Sequence, residues 1–176
     1  MYEIIIFVAA AICCLWVVYA VVFLAPWLPT FTRDFDRIAK KANLKSGDTF
    51  CEIGSGDGRV SLYMAKRFPK SRIIGVEISF VLFITSIVRK RFQKNKNIKF
   101  FRCDFYSFDI SSVDVVYVFA TPHSSGKLSK HLYKKMKNGS RVISYNFELP
   151  FDRSVERWID EVDDDGMKLY VYDIVN

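Results

Sequence analysis

The stretch Phe50-Cys51-Glu52-Ile53-Gly54-Ser55-Gly56-Asp57-Gly58-Arg59 constrains this chain more than any other feature. It reads as an apolar strand running into a glycine-rich turn and then into a helix. Glycine adopts backbone angles barred to other residues and lets a ligand touch the main chain, so a turn of this kind opens the first βαβ unit of a Rossmann-like fold. Its details exclude two common ligands. A dinucleotide fingerprint needs a third glycine where Arg59 stands, and a phosphate-binding Walker loop needs Gly-Lys-Ser/Thr. Neither NAD nor ATP fits the turn.

The rest of the chain extends the same pattern. Apolar strands at Thr49 to Ile53, Arg72 to Val76, Ile98 to Arg102, Val113 to Phe119 and Arg141 to Phe147 alternate with helical stretches. The helices are at Arg59 to Arg67, Val81 to Phe92 and Gly126 to Lys137. Strands alternating with helices predict a parallel sheet. Ser154 to Ile159 and Lys168 to Ile174 then read as two strands around Asp163-Asp164-Asp165-Gly166, a strong turn signal. The expected fold is therefore α/β and Rossmann-like, a mostly parallel seven-stranded sheet with a C-terminal antiparallel hairpin. Six strands would have matched the dinucleotide-binding fold instead.

From Ile4 to Leu24 the chain carries no charge, glycine or proline. At ~1.5 Å per residue this crosses a hydrocarbon core about 30 Å thick, so one transmembrane helix is expected. A secretory signal fits poorly, because there is no basic n-region and no small-residue cleavage site before Pro26. Glu3 precedes the span while Arg33, Arg37, Lys40 and Lys41 follow it. The positive-inside rule then predicts a single-pass membrane protein with its catalytic domain in the cytoplasm and Trp27 near an interface. After the prolines, Thr32 offers an N-cap for an amphipathic helix through Asn43, with Phe35, Ile38, Ala39 and Ala42 at helical spacing. The expected division is an anchor over 1–28, a linker and amphipathic helix over 29–47, and one domain over 48–176.

Net charge is +7. Residues 1–31 hold a single charge, so the folded part is basic and suits anionic lipid, nucleic acid or an acidic protein. The basic runs Lys127 to Lys137 and Arg89 to Lys99 need no function as solvated helix faces, although both suit anionic lipid. Cys51 and Cys103 fall in expected strands, Cys13 and Cys14 in the apolar run, and none has metal-ligand spacing, so no metal is expected.

S-adenosylmethionine (AdoMet) has no phosphates, so its turn can include acidic groups. Glu52 would orient the cationic amino-acid moiety. Glu77, ending the second strand, stands where a carboxylate accepts hydrogen bonds from ribose hydroxyls. Asp104, after the third strand, would bind the adenine amino group with Phe105 beside it. At the end of the fourth strand, Phe119-Ala120-Thr121-Pro122-His123 lacks the Asn/Asp-Pro-Pro-aromatic motif of enzymes methylating adenine or glutamine. Methyl transfer depends mainly on positioning, so no catalytic residue is assigned, and His123 reads more readily as a surface helix-cap residue than as a base. The expected cofactor-binding set is Glu52, Gly54, Ser55, Gly56, Asp57, Gly58, Glu77, Asp104, Phe105 and Phe119.

Glu52-Ile-Gly-Ser-Gly-Asp-Gly-Arg59 resembles the signature of small membrane-anchored class I protein-lysine methyltransferases, the family of the ADP/ATP-translocase and ATP-synthase c-subunit enzymes. The resemblance extends to the N-terminal apolar segment, Pro26 to Pro29, Gly75-Val-Glu77, Asp104, Phe119 to Pro122, Phe147-Glu-Leu-Pro150 and Tyr172-Asp173. It implies that Gly54 to Gly58, Glu77 and Asp104 line the AdoMet site and that the acceptor is a lysine of a membrane protein. Where that family has Asn-Pro-Trp, this chain has Ser79-Phe80-Val81, a departure that touches substrate recognition rather than cofactor binding. Two other readings stay open: methylation of a membrane lipid or quinone, and a non-catalytic AdoMet-binding scaffold. Nucleic acid is the least expected partner, because it leaves the apolar span without purpose.

Overall fold

A computed structural model describes residues 2–23, 29–93, 95–151, 155–160 and 167–175, with the side chains of residues 15–23 and 158–160 outside the description. Helix α1 runs over Tyr2–Phe23, and its described side chains, those of residues 2–14, are all exposed. Among the described residues no helix is long and apolar enough to cross a membrane. The expected span from Ile4 to Leu24, the interface position of Trp27 and the turn from Asp163 to Gly166 lie wholly or partly outside the described residues.

The expected Thr32 cap is not formed. Thr32–Asp34 is a short 3-10 helix after Phe31, and α2 (Phe35–Ala42) follows directly. The apolar spacing read from the sequence survives the shift: Phe35, Ile38, Ala39 and Ala42 are all buried. Asn43 ends the helix in the left-handed region, with its N–H bonded to Ala39 O. Helix α2 thus belongs to the core of the domain.

The sheet comprises β1 (Thr49–Ile53), β2 (Arg72–Glu77), β3 (Ile98–Arg102), β4 (Val115–Val118), β5 (Arg141–Tyr145), β6 (Val155–Asp160) and β7 (Leu169–Ile174). Their order is β3-β2-β1-β4-β5-β7-β6. The first five are parallel, and β7 is antiparallel to both β5 and β6. This is the seven-stranded sheet with an antiparallel end that the sequence predicts. Three further helices are α3 (Arg59–Arg67), α4 (Phe80–Arg91) and α5 (Pro122–Lys135). Helix α5 begins four residues before the sequence expectation, because Pro122 lacks an amide hydrogen and suits the first helical turn. Strand β4 is shorter at both ends than its apolar run. Cys103 lies just beyond β3 rather than in it.

Alternation along the strands divides the interior in two. Phe50, Ile73, Ile98, Tyr117, Ile143 and Tyr145 pack with α2 and α3, and Phe83 of α4 joins them. Cys51, Val76, Val116, Val118 and Val142 face the other way and pack with Leu128 and Leu132 of α5. Two glycines make the first face possible. A Cβ on Gly75 would lie 2.5 Å from the Phe100 ring, and one on Gly58 would lie 2.6 Å from the same ring and 2.9 Å from Ser86 Cβ. At the opposite end of the strands, Arg141 forms a bidentate pair with Asp173 (2.7 and 2.8 Å) and donates to Lys41 O at 2.8 Å, fastening α2 to β5 and β7.

Candidate active site

The carboxyl ends of β1 and β4 open onto a shallow cleft between the glycine turn and the segment at Pro29 and Thr30. The glycine turn forms one wall. Gly54, Gly56 and Gly58 all take positive φ, which turns the chain sharply from β1 into α3. Ser55 N–H donates to Val76 O at 3.0 Å, and Gly58 N–H donates back to Ser55 O at 2.8 Å, so the turn is rigid and tied to β2. Tyr117, Phe119, Pro29 and Thr30 face it across the opening.

Glu52 is fully buried beneath the turn. Its Oε2 accepts from Ser61 N–H at 2.8 Å and Ser61 Oγ–H at 2.5 Å, in the first turn of α3. Burial disfavours the charged carboxylate and the two Ser61 donors favour it. Burial prevails, and the group is pushed up to about 8. Glu52 thus sits at the floor of the cleft with its carboxyl held by Ser61 and its charged form disfavoured by burial.

Glu77 braces the turn from β2. Its Oε2 accepts from Gly56 N–H and its Oε1 from Ser79 N–H, both at 2.8 Å. One carboxylate thus fixes both the glycine turn and the entry to α4. Asp57 is buried and clamped by two guanidinium groups, Arg59 at 2.8 Å and Arg89 at 3.0 Å. Its carboxylate serves the joint between the turn and α4.

Asp104 lies at an exposed position after β3, where it caps a 3-10 helix (Phe105–Ser107) by accepting from Tyr106 N–H at 3.0 Å. Phe105 is buried instead in the core beneath α5, edge-on to His131 with ring centroids 5.2 Å apart. The 3-10 turn directs its ring inward. Phe119 lines the cleft with Tyr117, and it meets Tyr145 edge-on at 4.9 Å and stacks with Phe147 at 6.0 Å. His123 is exposed in the first turn of α5, and Thr121 holds the cap position. Of the ten expected residues, Glu52, Gly54 to Asp57 and Phe119 line the cleft together; Gly58 and Glu77 support it from behind.

The structure adds a strap that local sequence reading missed. Thr30 Oγ1 and Tyr117 Oη share a hydrogen bond of 2.6 Å, and Tyr145 Oη–H donates to Asp34 at 2.5 Å, with Arg37 holding the other oxygen of Asp34 at 2.7 Å. These bonds carry the segment after Pro29 across the top of β4 and β5. Burial, with the Asp34 carboxylate beside it, pushes the Tyr145 phenol well above its ordinary value; burial does the same to Tyr117. Both remain neutral hydroxyls. Nothing local in the sequence signals this contact, because the burial of Asp34 follows from the fold.

The chemistry of the residues fits a polar ligand such as AdoMet. Ser55 Oγ is buried beside the cleft with no hydrogen-bond partner among the described residues, a costly state that a polar ligand relieves. Beside it, the glycine turn leaves main chain uncovered for close approach.

Comparison with known proteins agrees. Residues 52–156 match the family model described as the ANTKMT methyltransferase domain. A protein-lysine N-methyltransferase of Saccharolobus islandicus is 29% identical over 127 residues, covering 70% of this chain and 78% of that protein. The human lysine N-methyltransferase of the ATP-synthase c-subunit is 28% identical over 126 residues and 71% of this chain; the chain spans about half its length, 53%. Among solved structures, an RNA methyltransferase from Salinibacter ruber in complex with S-adenosyl-L-homocysteine superposes with a TM-score of 0.75 at 26% identity. That match covers 85% of this chain and 95% of the other. With that turn, that sheet and that family match, the chain belongs to the ANTKMT methyltransferase family and is an AdoMet-dependent methyltransferase.

Proposed function

We propose that this enzyme N-methylates a lysine side chain of a membrane or membrane-associated protein. The observation that carries the reading is the aromatic pair Tyr117 and Phe119 lining the cleft beside the glycine turn, in a chain whose relatives include enzymes named for protein-lysine methylation. Gly54 to Gly58 and Ser55 Oγ would hold AdoMet, with Glu77 reaching its ribose and Asp104 its adenine. When bound, AdoMet supplies an electrophilic methyl group on a sulfonium centre. A lysine must lose its proton before it can attack. An apolar, aromatic wall disfavours the ammonium form and lowers the pKa of an amine held against it. The protein's contribution is thus desolvation and alignment rather than a dedicated base. The uncharged run from Ile4 to Leu24 supports a single membrane span with the catalytic domain on the cytoplasmic side, which would present the cleft to membrane substrates.

The test begins with calorimetric titration of AdoMet into the full chain in detergent, comparing wild type with Gly56→Arg and Glu77→Ala. Binding by wild type, lost in Gly56→Arg and weakened in Glu77→Ala, is expected. Membranes are then incubated with methyl-labelled AdoMet and fractionated. Label on protein, recovered as methyl-lysine after hydrolysis, supports the proposal. Label confined to the lipid extract or to RNA would overturn the lysine acceptor while leaving the methyltransferase in place.

A further inference from the structure

Helix α4 carries large apolar residues on its outer face as well as Phe83 against the core. In a helix covering a sheet, apolar residues face inward and polar residues face solvent. Here the one fully buried residue is Ser86, whereas Phe80, Val81, Ile84, Ile87 and Val88 are exposed, with Phe92 beyond the helix end. These residues recur every three or four positions, so they form one continuous outward stripe. The reason for the small inner residue is visible: Ser86 Cβ lies where a Cβ on Gly58 would be only 2.9 Å away. Close approach of α4 to the glycine turn demands a serine inside. Nothing comparable demands large apolar groups outside.

The surroundings of the stripe are cationic. Arg89, Lys90 and Arg91 form the last turn of α4, and Lys99 and Arg102 stand on the neighbouring edge strand β3, with Arg102 over the Phe80 ring at 5.1 Å. Acidic residues are absent from α4 itself. An outward apolar stripe bordered by arginine and lysine is the pattern of a surface that rests in the headgroup region of an anionic bilayer. The stripe also begins at the carboxyl end of β2, the same edge of the sheet that receives Pro29 and Thr30 from the apolar N-terminal helix.

We propose that the outer face of α4, from Phe80 to Phe92, docks on an anionic lipid surface and lays the cofactor cleft beside it. The contact is distinct from any span by Ile4 to Leu24 and independent of which acceptor is methylated. Its expected strength follows from the cations. Each charge neutralisation among Arg91, Lys99 and Arg102 is expected to weaken the α4 contact with anionic vesicles about five-fold.

The experiment places a tryptophan on the stripe. The full chain is reconstituted into vesicles of phosphatidylcholine and phosphatidylglycerol, with or without bromine on the acyl chains, and fluorescence is read as the difference from wild type. Val88→Trp is compared with Lys134→Trp on α5, across the sheet. Quenching of the added tryptophan at position 88, its absence at 134, and its loss on omitting phosphatidylglycerol or introducing Arg91→Glu with Lys99→Glu are expected. Equal quenching at the two positions would overturn the proposal. So would a Val88→Trp emission that shifts with protein concentration and ignores the bromine, which would assign the face to a second copy of the chain. AdoMet titration of the same samples separates failure of docking from failure of the cleft.

Discussion

The two faces of the sheet are built on opposite principles. Beneath α5 the interior is conventional: Cys51, Val76, Val116, Val118, Leu128 and Leu132 interlock, and the lysines of α5 point to solvent. Beneath α2, α3 and α4 the interior also holds Asp34, Glu52, Ser55, Ser61 and Ser86, together with the hydroxyls of Tyr117 and Tyr145. Around the cleft the hydrogen bonds of buried polar groups give direction that apolar contacts cannot. The first face supplies cohesion and the second supplies the site.

The sharpest test of that contrast removes packing from each side. Leu132→Ala, at a fully buried position under α5, is expected to cost roughly 2–5 kcal/mol in chemical denaturation. Val88→Ala on the outward stripe of α4 should change stability by no more than about 0.5 kcal/mol. Comparable losses at the two positions would mean that α4 is packed against something in solution.

Charge gives the next test. Glu52 titrates near 8 when folded and close to the ordinary carboxylate value when unfolded. The folded state therefore holds a proton that the unfolded state has released. Its contribution to stability is full below about pH 4.5 and is lost as pH rises toward 8, on the order of a few kcal/mol. Glu52→Gln, which cannot ionise, should flatten the decline of melting temperature over this window. An unchanged slope would place the carboxyl in wetter surroundings than its Ser61 bonds imply.

Glycines provide the smallest and most local contrast. Gly58→Ala is expected to destabilise by roughly 1–3 kcal/mol, because the new methyl group meets Phe100 and Ser86 at a positive φ. Gly126→Ala, within α5 and facing open space, should stabilise by about 0.5–1 kcal/mol. Thermal denaturation of both variants reads the opposite signs. Equal signs would show that the turn has room to relax.

What the sequence makes legible is what depends on neighbours along the chain. Strands β1 and β3 and helix α3 have the boundaries that apolar periodicity predicts, and the glycine turn announces itself by composition. Contacts across the fold are another matter. Thr30 meets Tyr117 and Asp34 meets Tyr145 only because the sheet order brings β4 and β5 under the strap, which no local pattern encodes. Glu52 and Phe105 illustrate the same limit in the assigned site. The position of each relative to its strand was readable, but whether the side chain meets Ser61, the core or a ligand is decided by the packing of α3 and α5. Helix α4 could be found from its apolar content, yet not turned the right way round, since only the close approach at Gly58 fixes Ser86 inward.

The strap has a mechanical consequence. Thr30 and Asp34 fasten the chain to the tyrosines that stand at the ends of β4 and β5, and each such bond contributes on the order of 1 kcal/mol. Tyr117 also lines the cleft. A pull on the polypeptide at Pro29 is therefore borne first by the Thr30 hydroxyl and delivered to the cleft wall, so the strap works as a short, stiff tendon between whatever holds the N-terminal helix and the place where chemistry occurs.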